Sequence, residues 1–133
     1  MSVIISLLPL SVKAQNLSRA EQSSVVAEID EYIRLLSNFR YDTPELISDY
    51  TSQLSEAEQI IKQYSAYRSD IVVNERWYIL STLAKQNREM INFYKPKVAD
   101  CLYRFGVAMM EAGDGESATE YFNKAIGVNS KHV

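Results

Sequence analysis

Residues Ala99 to Lys131 read ADCLYRFGVAMMEAGDGESATEYFNKAIGVNSK. Two short amphipathic segments flank the pair Gly113-Asp114. In the first, Leu102, Phe105 and Met109 recur at steps of three and four, so they share one face of a helix. In the second, Ala118, Phe122 and Ala125 do the same. Gly106 and Ala118 are small enough to let two helix backbones approach, with Phe122 filling the space beside them. The spacing predicts helices over 97–112 and 115–128 that pack through Leu102, Phe105, Gly106, Met109, Ala118, Phe122 and Ala125.

The pattern Leu102-x2-Phe105-Gly106-x2-Met109, followed by Ala118-x3-Phe122 and Ala125, resembles a tetratricopeptide repeat (TPR). The step from Gly106 to Ala118 has the family's spacing. Leu102, Phe105, Met109 and Ser130 stand where the family carries Trp, Leu, Tyr and Pro. The resemblance implies an all-α fold of antiparallel helical hairpins, a fragment of a right-handed solenoid. One repeat cannot bury its own face, so the upstream helices are expected to supply the missing surface. The family's groove is lined mainly by the first helix of each repeat. Carried onto this chain by register, its partner-binding residues would be Asp100, Tyr103, Arg104, Val107, Met110 and Glu111. A carboxylate clamp of Lys, Asn and Arg is not reproduced there, since only Arg104 is of the required type.

Upstream, Leu17 to Arg40 carries Val25, Val26, Ile29, Tyr32, Ile33 and Leu36 at helical spacing. Glu21, Glu28, Asp30, Glu31 and Arg34 fall mostly on the other side. This predicts a helix over about 18–39, broken by Asn38 to Asp42. Thr43-Pro44-Glu45 has the chemistry of a helix start, with Thr43 as cap and Pro44 at the first position. The second helix, about 44–66, has the apolar face Leu46, Tyr50, Leu54, Ala57, Ile61 and Tyr64. A third, about 71–94, is capped by Ser69 or Asp70 and carries Val73, Trp77, Leu80, Leu83, Ala84, Ile91 and Tyr94. Trp77-x2-Leu80-Ser81 echoes the repeat, but Trp77 lies 25 residues before Leu102, where a tandem repeat needs 34. Lys95-Pro96 then predicts a break.

Met1 to Ala14, MSVIISLLPLSVKA, is an apolar run too short to span a membrane. Its small-residue end reads as a signal-peptide cleavage site. Residues 1–14 are therefore expected to be a signal peptide and 15–133 one TPR-like domain, exported to the periplasm or cell envelope. A cytoplasmic protein with a packing N-terminal segment is the alternative.

The chain has 133 residues, a net charge of -3, one Cys and one His. No basic face suits nucleic acid. One Cys and one His cannot build a zinc set. No phosphate loop, nucleophile motif or His pair is present, and paired carboxylates such as Glu28-Glu31 and Glu56-Glu58 lack companions for acid-base chemistry. The sequence thus predicts no catalytic residue, no metal, no cofactor and no membrane span. It predicts a non-catalytic interaction module or scaffold that docks a protein or peptide partner. A self-associating, homo-oligomeric envelope protein is the alternative, and an enzyme accessory or small-ligand-binding subunit is a third reading.

Overall fold

A computed structural model describes residues 17–129. The signal-peptide reading of residues 1–14, together with Ser130 and His132, falls outside them. Four α-helices account for most of the described chain, and there is no strand among the described residues. The helices are α1 (Arg19–Ser37), α2 (Ile47–Tyr64), α3 (Ile71–Glu111) and α4 (Gly115–Val128). Single 3-10 turns at Pro44–Leu46 and Ser65–Tyr67 precede and follow α2.

Each start has a local cause. Ser18 opens α1 with a reciprocal capping box: its hydroxyl accepts from the Glu21 amide at 3.1 Å, and the Glu21 carboxylate accepts from the Ser18 amide at 2.9 Å. Asp70 caps α3 by accepting from the amides of Val72 at 3.0 Å and Val73 at 3.1 Å. Thr43 does not cap as the sequence suggests. Its hydroxyl instead donates to the Arg40 carbonyl at 2.7 Å, and Pro44 opens a 3-10 turn ahead of α2.

The expected break at Lys95-Pro96 is absent. Where the sequence predicts helices over 71–94 and 97–112, α3 runs unbroken through Pro96. Proline removes one intrahelical hydrogen bond and costs about 3 kcal/mol in a helix interior. Pro96 and Asn92, whose carbonyl loses its donor, are both exposed, so solvent reaches the freed group. On the opposite side Ile91 and Ala99 are fully buried, and their packing holds the helix on both sides of the proline. At the other end Gly113 adopts φ +86°, a left-handed conformation that glycine tolerates. The Asp114 amide bonds the Met109 carbonyl and the Gly113 amide bonds that of Met110, which together form a Schellman stop. Asp114 at once caps α4 by accepting from the Ser117 amide at 3.1 Å, a bond that lowers its carboxyl pKa.

The sequence reading of 15–133 as one domain meets a chain that divides into two compact, interleaved units. The first comprises residues up to Phe39 with Gln53–Asn87; the second comprises Arg40–Ser52 with the chain from Arg88 onward. In the first, Val25, Ile29 and Leu36 of α1 are buried with Leu54, Ala57, Ile60 and Tyr64 of α2 and Val73, Leu80 and Ala84 of α3. Each large aliphatic side chain fully removed from water contributes about 1.5–3 kcal/mol before entropy. Polar links fix the register of that packing. Trp77 donates its indole N–H to the Ile61 carbonyl at 2.7 Å, and Gln22 donates to both Asp70 carboxylate oxygens at 3.1 and 2.9 Å. The Asn87 amide donates to the Leu36 carbonyl at the end of α1 at 3.4 Å.

Glu28 departs from its expected place on the polar face. It is buried, one of its carboxylate oxygens lacks a hydrogen-bond partner, and burial raises its pKa, with the charge of Glu31 adding to the effect. The buried Tyr64 hydroxyl also lacks a partner, and the nearby Glu28 charge adds to the burial that raises its pKa. Tyr32 donates to Glu56 at 3.3 Å, and burial together with that carboxylate pushes the phenol up to about 12.

Candidate functional site

The second unit is built differently. Along α3 its buried residues are Ile91, Ala99 and Gly106, and along α4 they are Ala118, Ala125 and Val128. Alanine and glycine dominate this contact, so the two helices approach closely. A Cβ added at Gly106 would lie 2.4 Å from the Phe122 ring. Phe122 in turn packs against Tyr103, with ring centroids 5.3 Å apart. Small residues in the seam leave the larger ones at its margins.

One margin forms an apolar groove of about 800 Å³. Its floor is the α3 face bearing Tyr94, Val98, Cys101, Leu102 and Phe105. One wall is Pro44, Glu45 and Ser48; the other is Lys124, Gly127 and Val128 of α4. Tyr41 stacks on Tyr94 at 5.6 Å and meets Tyr50 edge-on at 6.0 Å, which holds the Tyr94 end of the floor in place. Burial, with Tyr50 beside it, pushes the Tyr41 phenol up to about 12. The Tyr50 hydroxyl accepts from the Arg40 amide at 3.0 Å and so fixes the start of the wall that Pro44 to Ser48 provide.

Charge enters at the rim. Lys97 lines the groove and places its ammonium 4.5 Å from the Phe93 ring centre; Lys124 places its own 5.4 Å from that of Tyr121. Neither lysine makes an ion pair among the described residues. Glu45 is the single carboxylate in the lining. The rim is therefore net positive on a chain whose net charge is -3.

None of the six residues expected from the repeat register lines this groove. Asp100, Tyr103, Arg104, Val107, Met110 and Glu111 lie on the other side of the α4 contact. Arg104 pairs with Asp100 one turn away at 2.7 Å, and Met110 is 56% exposed. Of the residues expected to pack, Gly106, Ala118 and Ala125 are buried, while Leu102, Met109 and Phe122 are half-buried. Phe105 is 50% exposed, packs its ring 5.6 Å from Tyr121, and serves the groove rather than the seam. The sequence signal that could have found the groove is the step pattern 94, 98, 101, 105 along α3.

The polar groups of the groove are two lysines, one carboxylate, a serine, a tyrosine and a thiol. Among the described residues no group of three or more His, Cys, Asp and Glu could hold a metal ion. No described helix is long and apolar enough to cross a membrane. No family model, no curated protein and no solved structure matches the chain.

Proposed function

We propose that this protein is a non-catalytic interaction module that docks a protein or peptide partner in the groove of its second unit. The observation that carries the reading is the groove itself, an apolar floor with a positively charged rim. Water-exposed aromatic and aliphatic side chains gathered in one concave strip mark binding sites on protein surfaces. A TPR-like origin of the α3–α4 segment is part of the proposal. It is supported by the close approach of Gly106 to Phe122 and the burial of Ala118 and Ala125, all in the register of the repeat. Export to the periplasm or envelope rests on the MSVIISLLPLSVKA sequence alone.

Self-association is a second reading with its own support. In the first unit Ile71 and Tyr78 are 85% and 65% exposed at a seven-residue step, with Val72 and Ile79 beside them. One experiment separates the readings. The parent and a Val98→Glu variant are cross-linked in the native host and the recovered complexes weighed. A foreign partner held by the parent and lost from the variant is the expected result. Recovery of this chain alone favours self-association, and a foreign partner held equally by both moves the function away from the groove.

A further inference from the structure

The groove floor belongs to a longer pattern. Along α3 the residues Val73, Trp77, Leu80, Ala84, Asn87 and Ile91 follow alternating steps of four and three. Tyr94, Val98, Cys101 and Phe105 continue that alternation through the second unit. Nine steps cover the 32 residues from Val73 to Phe105, a mean of about 3.6, so these residues form one continuous seam along a single face of α3. In the first unit the seam is covered by helices: Val73, Leu80 and Ala84 are buried, Trp77 bonds α2 and Asn87 bonds α1. In the second unit the same seam becomes the floor of the groove, and exposure rises from Ile91 at 0% to Phe105 at 50%.

We infer that the groove takes an amphipathic α-helix of a partner protein, about three turns long, with acidic residues flanking its apolar seam. This rests on the interaction-module reading and names its partner. Four observations specify the occupant. The groove runs along α3, so a helix laid beside α3 can meet Tyr94, Val98, Cys101 and Phe105 in turn. The seam's span from Tyr94 to Phe105 is eleven residues, about 16 Å at 1.5 Å per residue, so four apolar side chains of the partner are engaged. Lys97 and Lys124 at the rim, neither ion-paired among the described residues, meet acidic residues at the positions that flank a helix seam. Gly127 offers a wall where an added Cβ would meet nothing within 4 Å, so a partner backbone can come close there.

Cys101 is the chain's one cysteine, is exposed, and lies in the floor, which makes it a built-in reporter. The probes are synthetic helices of about four turns with leucine along the seam, locked by a side-chain staple. One has glutamate flanks, one lysine flanks, and one carries a proline mid-seam in place of the staple. Palmitate is the single-chain lipid control. Binding is read by fluorescence anisotropy, and occupancy by the rate of Cys101 alkylation measured by mass. The acidic helix should bind at least about tenfold more tightly than the basic one, a difference of about 1.4 kcal/mol, and slow alkylation by a similar factor. Lys97→Glu combined with Lys124→Glu, both at exposed positions, should reverse that preference while circular dichroism stays unchanged. Equal binding of the two helices, equal binding of the proline-broken peptide, or a Kd weaker than about 1 mM for the acidic helix overturns the inference. So does protection of Cys101 by palmitate alone, or by raised protein concentration without peptide. If any of these occurs while Val98→Glu still releases the native partner, the interaction reading stands and only the occupant is wrong.

Discussion

The two units use α3 in opposite ways. Among the largest fully buried side chains, Tyr64, Tyr67, Ile29, Leu36, Leu54, Leu80, Val25 and Val73 belong to the first unit. Ile91 alone represents the second. Between α3 and α4 the second unit buries mainly Ala99, Gly106, Ala118 and Ala125, with Ile47, Tyr50, Ile91 and Val128 as its larger buried residues, while Phe93, Phe105, Met110 and Ile126 remain 45–56% exposed. Large residues inside make a packed core; small residues inside, with large ones displaced to the margin, make a close helix contact beside a groove. The same helix-forming sequence therefore supports stability in one place and recognition in the other, depending on which size class faces inward.

The sharpest way to break that contrast is a matched pair of truncations. Leu54→Ala, at a fully buried site of the first unit, should cost about 2–5 kcal/mol because the cavity cannot collapse. Leu102→Ala, half-buried beside the groove, should cost about 1 kcal/mol or less. Urea denaturation of both against the parent gives the comparison. Equal losses would mean the second unit is as tightly packed as the first.

A smaller effect tests the close approach. Gly106→Ala gains about 1 kcal/mol of helix propensity but forces the Phe122 ring aside, an overpacking cost of about 1–3 kcal/mol. A net loss of about 1 kcal/mol is expected. Gly127→Ala, with open space at its Cβ, should gain about 0.5 kcal/mol. Thermal melts in which both substitutions have the same sign would remove the argument for small residues in the seam.

The smallest effect sharpens the account of the first unit. Burial raises the folded-state pKa of Glu28 above 4.5. The folded protein then holds a proton that the unfolded chain has released, so this group lowers stability as pH rises from 4.5 through the raised value. Below that window it is protonated in both states and contributes nothing. Glu28→Gln should thus be more stable than the parent by about 1 kcal/mol at pH 7, with the difference fading toward pH 4. A difference that grows on acidification would mean that Glu28 is held as a stabilised carboxylate.

Much of the architecture was legible from spacing. Most of the faces of α1 and α4, the Gly113-Asp114 turn and the Asp70 cap follow from local rules, whereas on α2 the expected face holds only in part: Leu46 lies in the 3-10 turn and is 36% exposed, and Ile60 is buried where Ile61 is half-buried. Three features were not legible, each because a non-local contact overrides a local preference. Proline at position 96 argues for a break, yet Ile91 and Ala99 are buried on the far side and the helix continues. Glu28 falls among the charges of α1 by sequence, yet its carboxylate is enclosed beside Tyr64 of α2. The groove needs Pro44 to Ser48 as a wall, about fifty residues from the floor in sequence, and no periodicity within α3 could supply that. The repeat register pointed to the Asp100–Glu111 side of α3, and the expected break at Pro96 hid the alternating steps that lead through Val98 to Phe105.

The interleaving of the units has a consequence for how the chain can be taken apart. The path passes from one unit to the other at Phe39–Arg40, again at Ser52–Gln53 and a third time at Asn87–Arg88, the last two within α2 and α3. No single cut isolates either unit from residues of the other. A truncation at position 87 strips the second unit to thirteen residues, and one at position 40 takes α1 from the first. Fusions, deletions and limited proteolysis therefore act on both units together, and any contiguous segment that holds the groove's lining also carries residues 53–87 of the first unit.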